Sequence, residues 1–164
     1  MMPTDARLHI VDPAHDPWRV ADPRETAPAP QPGLLLSGEQ WLAVRQDWPA
    51  ELPVGVRWPN DQPVDALVPD LPRLDLIALH FPKWTDGRAY TQARLLRARW
   101  GYRGTLRATG DVTPDQALLL WRCGFCSLQL RPGLPPEAAQ RALAWFDAFY
   151  QPDVRHPQSE VAHG

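Results

Sequence analysis

The run Leu76-Ile77-Ala78-Leu79 constrains this chain more than any other stretch, because it is continuously apolar and is stopped soon after by Pro82. A strand with one wet face would alternate. An unbroken apolar run of this length reads instead as a strand of a parallel sheet, covered on both faces, and a proline cannot extend its ladder. A helical pattern follows at once. Ala89, Ala93, Leu96 and Trp100 recur at steps of four, three and four and so share one face, Arg94, Arg97 and Arg99 point elsewhere, and Gly101 is placed to close the end. Strand, tight joint and helix make half of a βαβ unit.

The same alternation runs on from Gly33. Strands are predicted at Leu34-Leu35-Leu36, Val54-Gly55-Val56-Arg57, Leu76-Ile77-Ala78-Leu79, Thr105-Leu106-Arg107-Ala108-Thr109 and Ser127-Leu128-Gln129-Leu130. Ser37 is the expected N-cap of a helix carrying Trp41, Leu42 and Val44, while Asp65-Ala66-Leu67-Val68 allows only about one helical turn before Pro69. A helix over 113–123 has the clearest start, with Thr113 as N-cap, Pro114 at the first position and Gln116 completing a capping box; Gly124 stops it. Pro135-Pro136 open a last helix striped by Ala139, Ala142, Leu143, Phe146, Phe149 and Tyr150. About five strands in alternating β-α units predict one α/β domain with a mainly parallel sheet, either doubly wound or an open partial barrel.

Twenty prolines in 164 residues are more than twice average usage, and many fall before residue 33. This divides the chain into a Pro-rich, partly disordered segment at 1–32, the α/β domain at 33–151 and a flexible tail at 152–164. Within the first segment, Leu8-His9-Ile10-Val11 reads as a short edge strand with Trp18-Arg19-Val20 as its candidate partner. A formal charge of -2 gives no reason to expect nucleic acid. No apolar h-region follows Met1, and no apolar run approaches the roughly 18 residues of a membrane span, so the expectation is a cytoplasmic protein off the membrane.

Ligands of parallel sheets bind where strands end and helices begin. Lys83, Thr85, Asp86, Gly87 and Arg88 occupy that joint: Thr85 or Asp86 can cap the helix, Gly87 permits a tight turn, and two cations stand near free N–H groups. This is a candidate site for a small oxyanion, against the plainer reading of an N-cap with two solvated cations. Asn60, Asp61, Gly110, Asp111 and Arg131 follow other predicted strands, so several charged joints should share one edge. Asp111 is the candidate catalytic residue, free to orient a ligand or exchange a proton because Thr113 already caps the next helix; the alternative is a partner of Lys83 or Arg88. Asp61, Tyr90 and Gln116 are further candidates. His80 at its strand end is a general base or, more plainly, a hydrogen-bonded structural group.

Cys123-Gly124-Phe125-Cys126 has the spacing of redox and zinc motifs, but Cys123 falls in the last turn of a helix, away from the dipole end that activates thiols, and zinc needs two more ligands. These are read as structural cysteines, with no metal site. Trp84 and Tyr90 could stack on a flavin, yet packing is the default for aromatic residues, and no dinucleotide or phosphate-loop motif is present. The residues therefore assign no cofactor.

The stretch Phe81-Pro82-Lys83-Trp84-Thr85-Asp86-Gly87-Arg88, with Arg103-Gly104-Thr105-Leu106-Arg107-Ala108-Thr109-Gly110-Asp111-Val112 and Arg122-Cys123-Gly124-Phe125, resembles an uncharacterised bacterial family, a domain of unknown function. The resemblance runs over 52–150. It implies an oxidoreductase or accessory of assimilatory sulfite reduction, with sulfite reductase or a neighbouring sulfur-assimilation enzyme as partner. A non-catalytic docking protein for the same enzymes is the alternative, since the family's label rests on gene neighbourhood and carries no mechanism. The family pattern usually has an aspartate where Cys126 stands and often an acid at His80, which sets both residues apart from shared chemistry.

Overall fold

A strand buried on both faces needs two covers, and here they are of different kinds. The computed structural model describes residues 8–144. Seven strands, β1 (His9–Ile10), β2 (Arg19–Val20), β3 (Leu34–Ser37), β4 (Val54–Trp58), β5 (Leu76–Phe81), β6 (Thr105–Gly110) and β7 (Ser127–Leu128), form one sheet in the order β1-β7-β6-β5-β4-β3-β2. Every pairing is parallel. The helices are α1 (Gly38–Val44), α2 (Arg88–Arg94), α3 (Ala117–Arg122) and α4 (Pro136–Ala144). A 3-10 run, Val64–Arg73, takes the place of a helix between β4 and β5, where Pro69 and Pro72 deny it the α-helical ladder.

Strands β3 to β7 lie in sequence order, so each crossover has the same hand and all helices fall on one face. That excludes double winding and leaves a curled half-barrel. The expected count of about five strands is corrected to seven. The predicted five are β3 to β7, and the Pro-rich segment adds β1 and β2. Those two are not partners: β1 pairs with β7 through His9↔Ser127, and β2 with β3 through Arg19↔Leu34, at opposite edges. The tail at 152–164, and Phe146, Phe149 and Tyr150 of the last helical stripe, lie outside the described residues. No helix among the described residues is long and apolar enough to cross a membrane.

On the convex side Leu36, Val56, Ile77, Leu79, Phe81, Leu106 and Leu128 meet Trp41, Ala89, Ala93, Leu96 and Leu120 of the helices in one core. On the concave side Leu35, Leu76 and Ala78 are covered by Trp18. Trp18 belongs to a strap, residues 11–18, that joins the two edge strands across the open face. Its length dictates curvature. A flat sheet of seven strands spans about 29 Å, and the strap reaches at most about 30 Å even fully extended. Since a turn closed by His15 N–H to the Asp12 carbonyl (3.0 Å) shortens it, only a curled sheet can be crossed. The strap is fastened to β6, where Arg107 donates to Asp16 through Nη1 (2.6 Å) and Nη2 (3.1 Å), with side chains 4% and 12% exposed.

Local signals explain the helix starts. Ser37 and Gln40 form a capping box on α1, and Thr113 and Gln116 another on a 3-10 turn, Pro114–Gln116, that leads into α3. The helix expected over 113–123 is thus a 3-10 turn followed by a short α-helix. For α2 the cap differs from expectation. Gly87 is the N-cap residue without a side-chain bond, and the Asp86 carboxylate accepts the Arg88 amide (3.2 Å). The helix ends in a π-turn, Leu95–Arg99, with Trp100 N–H reaching back to the Leu95 carbonyl (3.1 Å). The extra residue breaks the step from Leu96 to Trp100. Ala89, Ala93 and Leu96 are fully buried while Trp100 is only half-buried.

The π-turn aims Arg97 inward. Its guanidinium donates to the carbonyls of Gly124 (2.9 Å), Tyr102 (2.7 Å) and Gly104 (2.8 Å), pinning the loop before β6 to the end of α3. Tyr102 is buried beneath it and donates to the Leu74 carbonyl (2.9 Å).

Two outcomes follow from this wiring. Asp16→Ala leaves a buried guanidinium unpaired and should cost about 3–5 kcal/mol in urea unfolding, with much of the loss recovered when Arg107→Met removes the charge as well. Burial pushes the Tyr102 hydroxyl well above its usual value. A raised folded pKa contributes stability that is complete below the unfolded value of about 10 and is lost as pH rises towards the folded one. Unfolding free energy should therefore fall above about pH 10, and Tyr102→Phe should flatten that fall.

Candidate functional site

Because every strand runs the same way, the joints after β4, β5 and β6 lie on one edge. Asp61 follows β4, the stretch 83–88 follows β5, and Asp111 follows β6. At the outer rim the charges are largely matched among themselves. Arg88 forks onto Asp86 through Nε (3.1 Å) and Nη2 (2.8 Å), and this guanidinium, with the Arg88 amide, holds the Asp86 carboxyl well below the usual carboxylate range. Asp61 adds a weaker field at Arg88. Lys83 and Thr85 are exposed, and neither side chain bonds to another described residue.

Asp111 is held by two donors, the Trp84 amide (2.9 Å) and Arg131 Nη1 (3.1 Å), and the amide, then Arg131, keeps its carboxyl below the usual range. An ionised, doubly bonded carboxylate is a weak base and a good anchor. It ties the joints after β5, β6 and β7 together. Tyr90 and Gln116 meet as the notional extension of the site, with Gln116 Nε2 donating to the Tyr90 hydroxyl (2.9 Å), but the tyrosine ring packs edge-on against Phe81 in the core.

Inside this rim lies a cavity of about 620 Å3, on the concave side of the mouth. Ser37, Arg57, His80 and Thr109 line it, one from each of four adjacent strands. The register explains their convergence. Ser37 pairs with Arg57, His80 pairs with Thr109, and alternation puts all four side chains on the face opposite the helices. His80 is exposed and bonds to no described side chain. Its imidazole lies over Gly110, whose φ of +95 and contact with the Phe81 carbonyl admit no side chain. Arg57 makes no ion pair or hydrogen bond among the described residues. Sequence reasoning weighed His80 but passed over Arg57 and Thr109, because an arginine or threonine inside a strand carries no signal until the sheet's facing is known.

Cys123 is buried as the C-cap residue of α3, beside Arg94 Nε (3.3 Å), and Cys126 precedes β7, beside Arg97 Nη2 (3.6 Å). Among the described residues no cluster of His, Cys, Asp or Glu is placed to hold a metal ion.

Compared with known proteins, the chain matches no curated protein. A family profile described as "Bacterial protein of unknown function (DUF934)" matches residues 55–161, which takes in β4 to β7 and the whole charged edge. The chain belongs to this bacterial family of unknown function.

Proposed function

We propose that the protein is an accessory of assimilatory sulfite reduction that handles a small sulfur oxyanion at the C-terminal edge of its sheet. The observation that carries the reading is the arrangement of the rim after β5: Lys83 has no partner among the described residues, and it shares a loop with Arg88 and that arginine's carboxylate partner Asp86. An incoming oxyanion meets one cation unpaired among the described residues and one that it can share with Asp86. Asp111 then acts as a positioning carboxylate that fixes Trp84 and Arg131 around the anion. The pathway comes from the resemblance of the motifs Phe-Pro-Lys-Trp-Thr-Asp-Gly-Arg and Gly-Asp-Val, and whether the protein acts as an oxidoreductase there turns on a redox group it would have to borrow or bind.

Docking on sulfite reductase or a neighbouring enzyme is the second reading, favoured by Trp84, which is 54% exposed next to Lys83 on the same rim. An aromatic residue flanked by a cation is a common interface anchor.

At low ionic strength sulfite should raise the melting temperature of the wild type, and the shift should shrink as salt is added. Lys83→Gln should reduce it. Arg88→Glu breaks the pair with Asp86 and sets two acids together, so it should lower the melting temperature without anion and abolish the sulfite shift. A wild type indifferent to sulfite ends the oxyanion reading. For the pathway, a deletion strain should grow on sulfide or cysteine and fail on sulfite; growth on all three sources refutes it. Loss of sulfite reductase binding in Trp84→Ala, with the sulfite shift intact, would favour docking.

A further inference from the structure

The cavity at the concave mouth is a different place from the rim, and none of the residues 83–88 lines it. Its walls are fixed. Trp58 donates through Nε1 to the Gln62 carbonyl (3.1 Å), and Gln92 Nε2 donates to the carbonyls of Pro59 (2.8 Å) and Gln62 (2.9 Å), so the loop after β4 is pinned from both sides. The Trp58 ring lies against Gly38, where a side chain would collide with it.

The charges that line this cavity are Arg57 and Glu39, apart from the imidazole of His80. They are close in the fold: Glu39 stands two residues beyond Ser37, whose register partner, about 4.8 Å away across the sheet, is Arg57. Yet they form no ion pair with each other or with any described residue. The neighbouring cation of the same row, Arg107, is neutralised by Asp16, so the mouth offers one cation and one anion. Beside them Leu42 is 58% exposed, with Trp58 and Pro59 extending an apolar wall.

We propose that this cavity binds a zwitterion of the α-amino-acid class with an apolar side chain, its carboxylate on Arg57, its ammonium on Glu39 and its side chain against Leu42 and Trp58. A carboxylate suits the planar guanidinium fork, and an ammonium has donors only, which a glutamate accepts. The Thr109 hydroxyl donates to the Leu79 carbonyl (3.3 Å) and leaves its lone pairs towards the ligand, and His80 closes the floor beside it. The cavity volume falls within the usual range for small-molecule sites. This site is independent of sulfite handling, since the two readings depend on different residues.

The test is calorimetric titration of the full chain with L-leucine, with 4-methylpentanoate, which lacks the amine, and with 3-methylbutylamine, which lacks the acid. L-leucine should bind, and each analogue should bind at least about tenfold more weakly, the loss expected when a charge-assisted contact is removed. Arg57→Gln should erase the advantage of leucine over the amine, and Glu39→Gln its advantage over the acid. Both positions are exposed, so an unchanged melting temperature certifies each variant as folded. Leu42→Ser should weaken leucine relative to glycine. Absence of leucine binding to the wild type, an analogue that binds as tightly, or affinity untouched by both charge substitutions would each overturn the proposal, whatever sulfite does at Lys83 and Arg88.

Discussion

The pair between Asp16 and Arg107 decides what kind of object this sheet becomes. A sheet whose crossovers all have one hand is covered on one face only, and its other face would present Leu35, Leu76 and Ala78 to water. A closed barrel solves that by burying the inner face against itself; a half-barrel needs another cover. The strap provides it with very little chain, laying Trp18 over the apolar patch and anchoring itself by one ion pair. Desolvating both groups is expensive, and their attraction offsets the cost only because the guanidinium fork meets both carboxylate oxygens. The contribution is as much to geometry as to stability: it selects one position for the strap and one curvature for the sheet.

A second, half-buried cation does comparable work on the convex side with a different kind of partner. Arg97 meets three backbone carbonyls and a thiol in place of a carboxylate, and burial lowers its pKa from the ordinary value. Carbonyls at the ends of helices and in loops lack ladder partners, so a guanidinium that collects three of them satisfies groups that would otherwise be orphaned. The π-turn is what brings Arg97 there, and the same turn takes Trp100 off the buried face. A local irregularity in α2 is thus coupled to the closure of the loop before β6.

The legible part of this molecule was local. Short apolar or alternating runs located β3 to β7, and residue chemistry located the caps at Ser37 and Thr113, because both signals act over a few residues. What stayed hidden depends on distant partners. His9–Ile10 and Arg19–Val20 were legible as short strands, but their partners were not, because each pairs with a distant edge, β7 or β3, and not with the other. The strap between them carries Pro13 and Pro17, which suppress regular structure and suit an extended crossing for the same reason. At the candidate site, the charged joints after β4, β5 and β6 were legible from alternation alone, since parallel strands all end on one edge. Pairing within the rim was not: nothing local distinguishes an Arg88 that waits for an anion from one that Asp86 already holds.

Arg57 and Arg107 bring this limit to its sharpest form. They have the same side chain, flank Ala78 in one register row and point to the same concave face. One is buried and matched by an acid 91 residues away in sequence; the other is exposed and has no partner among the described residues. Their difference comes from where the strap lies, since it passes over β6 and leaves the mouth at β4 open. Covering a half-barrel with a single strap cannot seal the whole concave face, because the chain is too short to do more than cross it once. The uncovered remainder is the cavity at the ends of β3 to β6. A fold that saves chain on its second cover in this way leaves a pocket at the edge where parallel sheets gather their polar groups, and the residue exposed there acquires chemistry that its buried twin has lost.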